Sequence, residues 1–332
     1  MQDLDVIIPV FNAGRFLGDC LRSVCGQTFG DIGIICVDDG STDDSASILE
    51  AFHDRDPRVM VLSQGNKGLS AARNHALDVS SARYVTFVDA DDTIAPEAYS
   101  VMMDWAVEMD LDAVGCCFRT FPDGWKSSFD FRTGDVMGFG DLLGTSRKVE
   151  SSNDLCLCWR YMFRREVIEE NGIRFREDIR FAEDMVFVTE VLAHCKRIYL
   201  SDKAFYNYRI GNPESLMGNR RDPERLNAIP LGYAAKLAQI ERFGMDRWSP
   251  CSRDLSEYTI RRYLPMLLDA LPIGRDGSVP LSAVRGVLSL PMIRNSCKAI
   301  GFRNIHTSWK EYLFYLAVKF RIGIVVKNLW FK

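Results

Sequence analysis

Apolar residues fall into short uninterrupted runs over the first part of the chain, and each run is followed by a stretch with helical spacing. Val6–Val10, Ile32–Val37, Val59–Leu62 and Tyr84–Val88 are apolar enough to be strands buried on both faces. Between them, residues 15–25 set Phe16, Leu17, Leu21 and Val24 on one side of a helix. A second helix begins near Asp43, where Asp43, Asp44 and Ser45 supply capping acceptors, and a third spans Leu69–Val79 behind Lys67-Gly68. This alternation predicts an α/β fold with a mostly parallel central sheet flanked by helices. Ligands of such sheets bind beyond the carboxyl ends of the strands.

Past Pro96 the pattern is less regular. Glu97–Met109 reads as a helix, Ala113–Arg119 as a strand, and 121–150 is rich in Gly, Asp and Ser. Leu155–Phe163 is strand-like, and helices are expected from Arg165 and from about Glu183. Beyond Asn219 the chain reads as mainly helical, interrupted at Pro250, Pro272, Pro280 and Pro291. A length of 332 residues suits about two domains.

Charge changes the picture in one place. The net charge of −4 contains a C-terminal segment, 294–332, with eight Lys and Arg (Arg294, Lys298, Arg303, Lys310, Lys319, Arg321, Lys327, Lys332) against Glu311. That segment is +7, so residues 1–293 carry −11. A bulk preference for nucleic acid is excluded on that balance, while the basic tail, Tyr312–Phe331, has two readings. It lies on an anionic membrane surface or packs on the protein. Ten cysteines without CxxC spacing point to buried, reduced thiols. Acidic Met1-Gln-Asp-Leu-Asp5 is no signal peptide, and no run reaches the ~18 apolar residues of a spanning helix. The expected location is cytoplasmic, with peripheral contact at the inner membrane face left open.

Three polar clusters follow predicted strands. Asp89-Ala90-Asp91-Asp92 crowds carboxylates that repel unless a positive group neutralises them. Oxygen-only ligands at a strand end suit Mg²⁺ or Mn²⁺, though alone the triplet also fits a solvated turn. In Asp38-Asp39-Gly40-Ser41-Thr42-Asp43 a helix cap accounts for Ser41–Asp44 but not for Asp38 and Asp39, which suit a base or ribose. Asn66-Lys-Gly68-Leu-Ser70-Ala-Ala-Arg73-Asn74 opens a helix toward an anion, with Arg73 as a forked charge, or is simply capped. Glu183-Asp184 begins a helix as dipole-favoured acids or as a general base.

Taken together with Pro9-Val-Phe-Asn12, these motifs resemble the family-2 GT-A glycosyltransferases in order and spacing, over roughly residues 4–215. The resemblance implies a catalytic domain at 1–218, with a nucleotide-binding half at 1–95 and an acceptor-binding half at 96–218. A helical region at 219–332 follows it. It implies an inverting transfer of sugar from a nucleoside-diphosphate sugar to an acceptor hydroxyl in cell-surface polysaccharide or glycoconjugate synthesis. UDP is favoured as the nucleotide because it is common in the family. Pro9, Val10, Phe11, Asp38, Asp39, Asn66, Arg73, Asp89 and Ala90 would meet the nucleotide sugar. Asp91 would bind Mn²⁺ or Mg²⁺, and Asp184 would be the base, with Glu183 second. Trp159, Arg160, Tyr208 and Arg209 would face the acceptor, a carbohydrate or lipid-linked glycan, or the diphosphate. Two departures leave the acceptor open: Arg160-Tyr161 stands after Trp159 where many relatives have Asn-Lys, and Asn207 stands where some have His.

Three rival readings are weaker. Val88-Asp-Ala-Asp-Asp-Thr93 also fits the D-x-D-x-T of haloacid-dehalogenase-type phosphatases, but that motif normally follows the first strand of its domain. Gly138-Phe-Gly140 through Gly144 has one residue too many for a dinucleotide fingerprint. An inactive carbohydrate-binding relative is disfavoured because every acid is present.

Overall fold

The computed structural model describes residues 2–146, 155–211, 222–247, 250–300 and 309–331. They form two compact units, residues 2–146 with 155–211, and residues 222–331. The boundary expected at 218 lies outside the described residues.

The first unit is built on a nine-stranded sheet in the order β3-β2-β1-β4-β8-β6-β9-β5, with β7 also on β9. The strands are β1 Leu4–Val10, β2 Ile32–Asp38, β3 Val59–Ser63, β4 Tyr84–Phe87, β5 Thr93–Ile94, β6 Ala113–Phe121, β7 Val136–Met137, β8 Tyr161–Arg164 and β9 Ile198–Arg209. Helices α1 Gly14–Cys25, α2 Ser45–His53, α3 Leu69–Val79, α4 Ala98–Glu108, α5 Phe139–Gly144, α6 Arg165–Glu170 and α7 Glu183–His194 belong to this unit. Its parallel part is β3-β2-β1-β4, and every residue of β1, β2 and β4 is buried. Apolar runs without alternation fit strands covered on both faces. Beyond β4 the sheet is mixed: β8 pairs antiparallel with β4 and β6, while β9 runs parallel to β6.

The expected strand Leu155–Phe163 is shorter. Cys158–Arg160 is a 3₁₀ turn and only Tyr161–Arg164 joins the sheet. A buried apolar run does not by itself separate strand from buried turn. All ten cysteines are free thiols, eight of them buried.

The second unit is helical: α8 Arg225–Phe243, α9 Cys251–Tyr258, α10 Leu264–Asp269, α11 Leu281–Ser289, α12 Pro291–Ala299, α13 Trp309–Lys319 and α14 Gly323–Trp330. Its core includes Leu255, Leu264, Leu267, Val284 and Leu288. The inner side of the tail packs within this unit. Phe314, Ala317, Val318 and Val326 are buried, and Trp330 Nε1 donates to Asp269 Oδ1 at 3.0 Å. Among the described residues no helix is long and apolar enough to cross a membrane.

Candidate active site

Parallel pairing brings the carboxyl ends of β1 to β4 to one edge, in registers such as Val10↔Asp38, Asp38↔Ser63 and Ile7↔Phe87. The loops that follow are knitted to one another. Asn12, at φ 49°, accepts from Thr42 N at 2.8 Å, and its own N–H donates to Ser41 Oγ at 3.0 Å. Asp43 and Ser45, read as caps of α2, also receive the amides of Gly14 (2.8 Å) and Ala13 (2.9 Å) from the neighbouring loop. Pro9 and Val10 are buried strand residues, whereas Phe11 is 48% exposed beside them.

Asp38 and Asp39 have different situations. Asp38 Oδ1 accepts from Ser41 N at 3.0 Å. Asp39 uses both oxygens on the loop after β3: Oδ1 takes Gln64 Nε2 (2.9 Å) and Lys67 N (2.8 Å), and Oδ2 takes Gly68 N (2.8 Å). A Cβ on Gly40, at φ 76°, would lie 2.9 Å from Asn66 N, so glycine lets the two loops touch. Asn66 itself is exposed.

Arg73, on α3, is the centre of the arrangement. It is 1% exposed, and its guanidinium donates to Asp184 Oδ1 at 2.6 Å, Asp89 Oδ1 at 2.9 Å and Glu183 Oε1 at 3.3 Å. It lies 5.1 Å from the centre of the Phe175 ring, and its Nε has no partner among the described residues. The left-handed Ala182, at φ 67°, precedes the α7 turn that presents Glu183 and Asp184. Asp184 Oδ2 also takes Cys158 N at 3.4 Å. One guanidinium cannot neutralise three carboxylates in a poorly solvated place. Burial, reinforced by Asp184, pushes Glu183 up to about 7, with Arg73 opposing. Burial pushes Asp89 up to about 6, with Arg73 opposing and Asp184 and Asp91 adding to the rise.

The rest of the acidic turn is tied to β9. Asp92 is buried and accepts from Tyr206 Oη (2.8 Å) and Arg209 N (2.6 Å); burial and the charge of Asp89 raise it to about 8. Tyr206 Oη also accepts from Asp89 N at 3.1 Å. Arg209 Nε donates to Asp91 O at 2.8 Å, and its guanidinium sits 4.4 Å from the Phe16 ring centre. Ala90 is buried, and Asp91 is half-buried.

Of the acceptor-side candidates, Trp159 stacks on Tyr206 (4.2 Å between centroids) and on Tyr208 (5.5 Å). Phe118 meets Trp159 edge-on at 5.1 Å and Trp125 at 5.8 Å, so an aromatic row ends at Trp125, 58% exposed. Arg160 is enclosed: its guanidinium lies 3.7 Å from the Phe129 ring centre and Nε donates to Cys116 O at 3.0 Å. The structure thus gathers Arg73, Asp89, Glu183 and Asp184 at one point, with Asp91 nearby, and holds Arg160 within an aromatic box. Sequence reasoning missed Phe175, Gln64 and Cys158. Nothing in their local pattern marks them, because each acts through residues far away in the chain.

A divalent cation is what a D-x-D turn of this kind suggests. Among the described residues, no three His, Cys, Asp or Glu side chains form a cage by themselves. The donor set still fits a hard ion, because Mg²⁺-type sites use one or two carboxylates and complete their shell with water and substrate phosphate. Asp91, half-buried beside Asp89, is such a carboxylate.

A sheet whose fourth parallel strand ends in a D-x-D turn, with a helix-borne Glu-Asp pair beside it, is the GT-A architecture. Comparison with known proteins agrees. A profile of Glycosyl transferase family 2 matches residues 5–172. The chain is 31% identical over 333 residues to the uncharacterized glycosyltransferase EpsJ of Bacillus subtilis (strain 168), covering 98% of this chain and 94% of that one. It is 34% identical over 231 residues to the uncharacterized glycosyltransferase YibD of Escherichia coli (strain K12), covering 68% and 66%. The fold is similar to residues 1–349 of Staphylococcus aureus TarS in complex with UDP, with a TM-score of 0.67, 19% identity and coverage of 98% and 90%. The chain belongs to glycosyl transferase family 2. The phosphatase reading is set aside, since the D-x-D strand is the fourth of the sheet and not the first.

Proposed function

We propose that the protein transfers a sugar from a nucleoside-diphosphate sugar, with UDP as the first candidate nucleotide, to an acceptor hydroxyl with inversion at the anomeric carbon. The observation that carries this is the meeting of Asp89, Glu183 and Asp184 on the buried Arg73, beside the loops that follow β1 to β3. UDP fits as the nucleotide because TarS, similar in fold, binds UDP and UDP-GlcNAc. A mannosyltransferase from Pyrobaculum calidifontis, with a TM-score of 0.54, binds GDP-Man and Mn²⁺, which supports the donor class and the metal.

Phe11 and the loop held by Asp39 flank the nucleotide, and Asp38 keeps an oxygen for the base or ribose. Asp184 accepts the proton of the acceptor hydroxyl while that oxygen bonds to the anomeric carbon and the bond to the diphosphate breaks. Arg73 orients Asp184 for this step, donating to its Oδ1 at 2.6 Å. A divalent ion on Asp91, when bound, neutralises charge on the leaving diphosphate. Trp125, the exposed end of the aromatic row, offers a flat apolar face to an acceptor sugar ring, in keeping with a polysaccharide or glycoconjugate product. Glu183 is the second reading for the base, favoured by a carboxyl already raised to about 7, near the operating pH of a general base.

Calorimetric titration of UDP with and without Mn²⁺, on the wild type and Asp91→Asn, tests the donor side. Metal-dependent UDP binding that the substitution weakens at least tenfold is expected. UDP binding of equal strength in all four combinations would remove the metal role, and no binding of any nucleotide would remove the donor class.

A further inference from the structure

The outer side of the C-terminal tail carries a surface that catalysis leaves unexplained. Helices α13 and α14 meet at an elbow, where Ile322 N donates to Ala317 O (2.8 Å) and Arg321 N to Val318 O (3.0 Å). This is the Schellman arrangement that ends a helix, with residue 321 in the left-handed position normally given to glycine. Here the position holds arginine, at φ 54°. In the usual motif the next residue folds back onto the helix as an apolar contact. Ile322 instead stays 45% exposed, beside Phe320 at 64% and Ile324 at 50%. The elbow therefore spends backbone strain while holding a cation and three large apolar side chains in water.

Basic side chains ring the same place. A shallow pocket of about 180 Å³ beside the elbow is lined by Arg294, Lys298, Lys319 and Arg321 around Ile293 and Phe320. No acid lines it. Arg294 and Lys298 come from α12, so the cations converge from two separate elements. The first 293 residues carry −11, so this concentration runs against the chain's own balance.

We propose that residues 319–325 and the pocket beside them form a docking surface for an anionic lipid bilayer. Phe320, Ile322 and Ile324 enter the boundary between headgroups and acyl chains, and the four cations meet lipid phosphates. Charge complementarity selects a bilayer over a neutral partner. Exposed apolar side chains at a basic rim gain from burial in the interface, and each Lys or Arg near an anionic leaflet strengthens binding about fivefold. The packed inner side of the tail, with Trp330 on Asp269, holds the elbow in place for this contact.

The test is sedimentation of the full chain with vesicles of phosphatidylcholine alone or with about a third phosphatidylglycerol. Binding is expected only to the anionic vesicles, and it should fall as salt rises. Phe320→Ser/Ile324→Ser should weaken it at least tenfold, and Lys298→Gln/Arg321→Gln about 25-fold with a flatter salt dependence. Arg22→Gln/Arg55→Gln, on exposed residues of the other unit, should change nothing. Circular dichroism establishes that each variant folds. Equal binding to neutral vesicles, wild-type binding by the elbow variants, or an equal loss in the Arg22/Arg55 control would each overturn the proposal. So would a solution dimer that Phe320→Ser/Ile324→Ser splits, since the face would then belong to a second copy.

Discussion

Arg73→Met removes the cation that holds the acidic cluster and leaves a side chain of similar length. Three carboxylates then lose partners at 2.6, 2.9 and 3.3 Å, in surroundings where Arg73 itself is 1% exposed. Stripping one partner from a buried ion pair costs about 3–5 kcal/mol. In a unit of about 200 residues this lowers the melting temperature by ~6–20 °C. The loss must depend on pH. Asp89 and Glu183 already titrate at about 6 and about 7 in the folded chain, above their ordinary 3.8 and 4.5. Carboxyls raised on folding contribute stability that is present below their unfolded values and is lost as pH rises through the folded ones. Removing Arg73 raises them further, so the deficit should be smaller near pH 5 than near pH 8. Arg73→Lys keeps the charge but not the fork and should fall between. Thermal melts followed by circular dichroism at the two pH values read all of this. A melting temperature for Arg73→Met within about 2 °C of wild type at pH 8, or equal deficits at both pH values, would refute the reasoning.

The remaining predictions concern the loops, the metal and the tail. Asp39→Asn swaps a charged acceptor of three N–H groups for a neutral amide, and should cost about 1–3 kcal/mol and raise the donor KM, read by denaturant melts and initial rates. Because Asp89, raised to about 6, adds its negative charge beside Asp91 only at higher pH, Mn²⁺ with UDP should raise the melting temperature more at pH 8 than at pH 5; a reversed order would count against a metal at this turn. Arg321→Gly relieves a left-handed arginine and should stabilise the chain by ~1 kcal/mol in thermal melts, even as it weakens vesicle binding.

The part of this architecture that was legible in the sequence is the part governed by local pattern. Unbroken apolar runs gave β1 to β4 their places, and the polar residues just beyond them were brought together because parallel strands end at one edge. The longest strand, β9, was missing from the reading because Ser201-Asp202-Lys203 interrupts its apolar positions and much of it is only half-buried. The turn at Cys158–Arg160 looked like a strand because burial, not alternation, sets its composition. The site's wiring was hidden for a different reason. Arg73 lies 110 and 111 residues from its partners Glu183 and Asp184, and no local spacing encodes such a pair. Asp39 reads as a ligand from its place at a strand end, yet both its oxygens staple the loop at Gln64–Gly68.

The central claim is that this acidic cluster transfers sugar from a nucleotide donor with Asp184 as base. It is tested most directly by screening nucleoside-diphosphate sugars with Mn²⁺ for release of nucleoside diphosphate, comparing the wild type with Asp184→Asn and Glu183→Gln. The account predicts release from at least one donor, a loss of about 10²–10⁴-fold in kcat for Asp184→Asn with donor binding retained, and a smaller loss for Glu183→Gln. Undiminished turnover by Asp184→Asn, or no release from any donor, would contradict it.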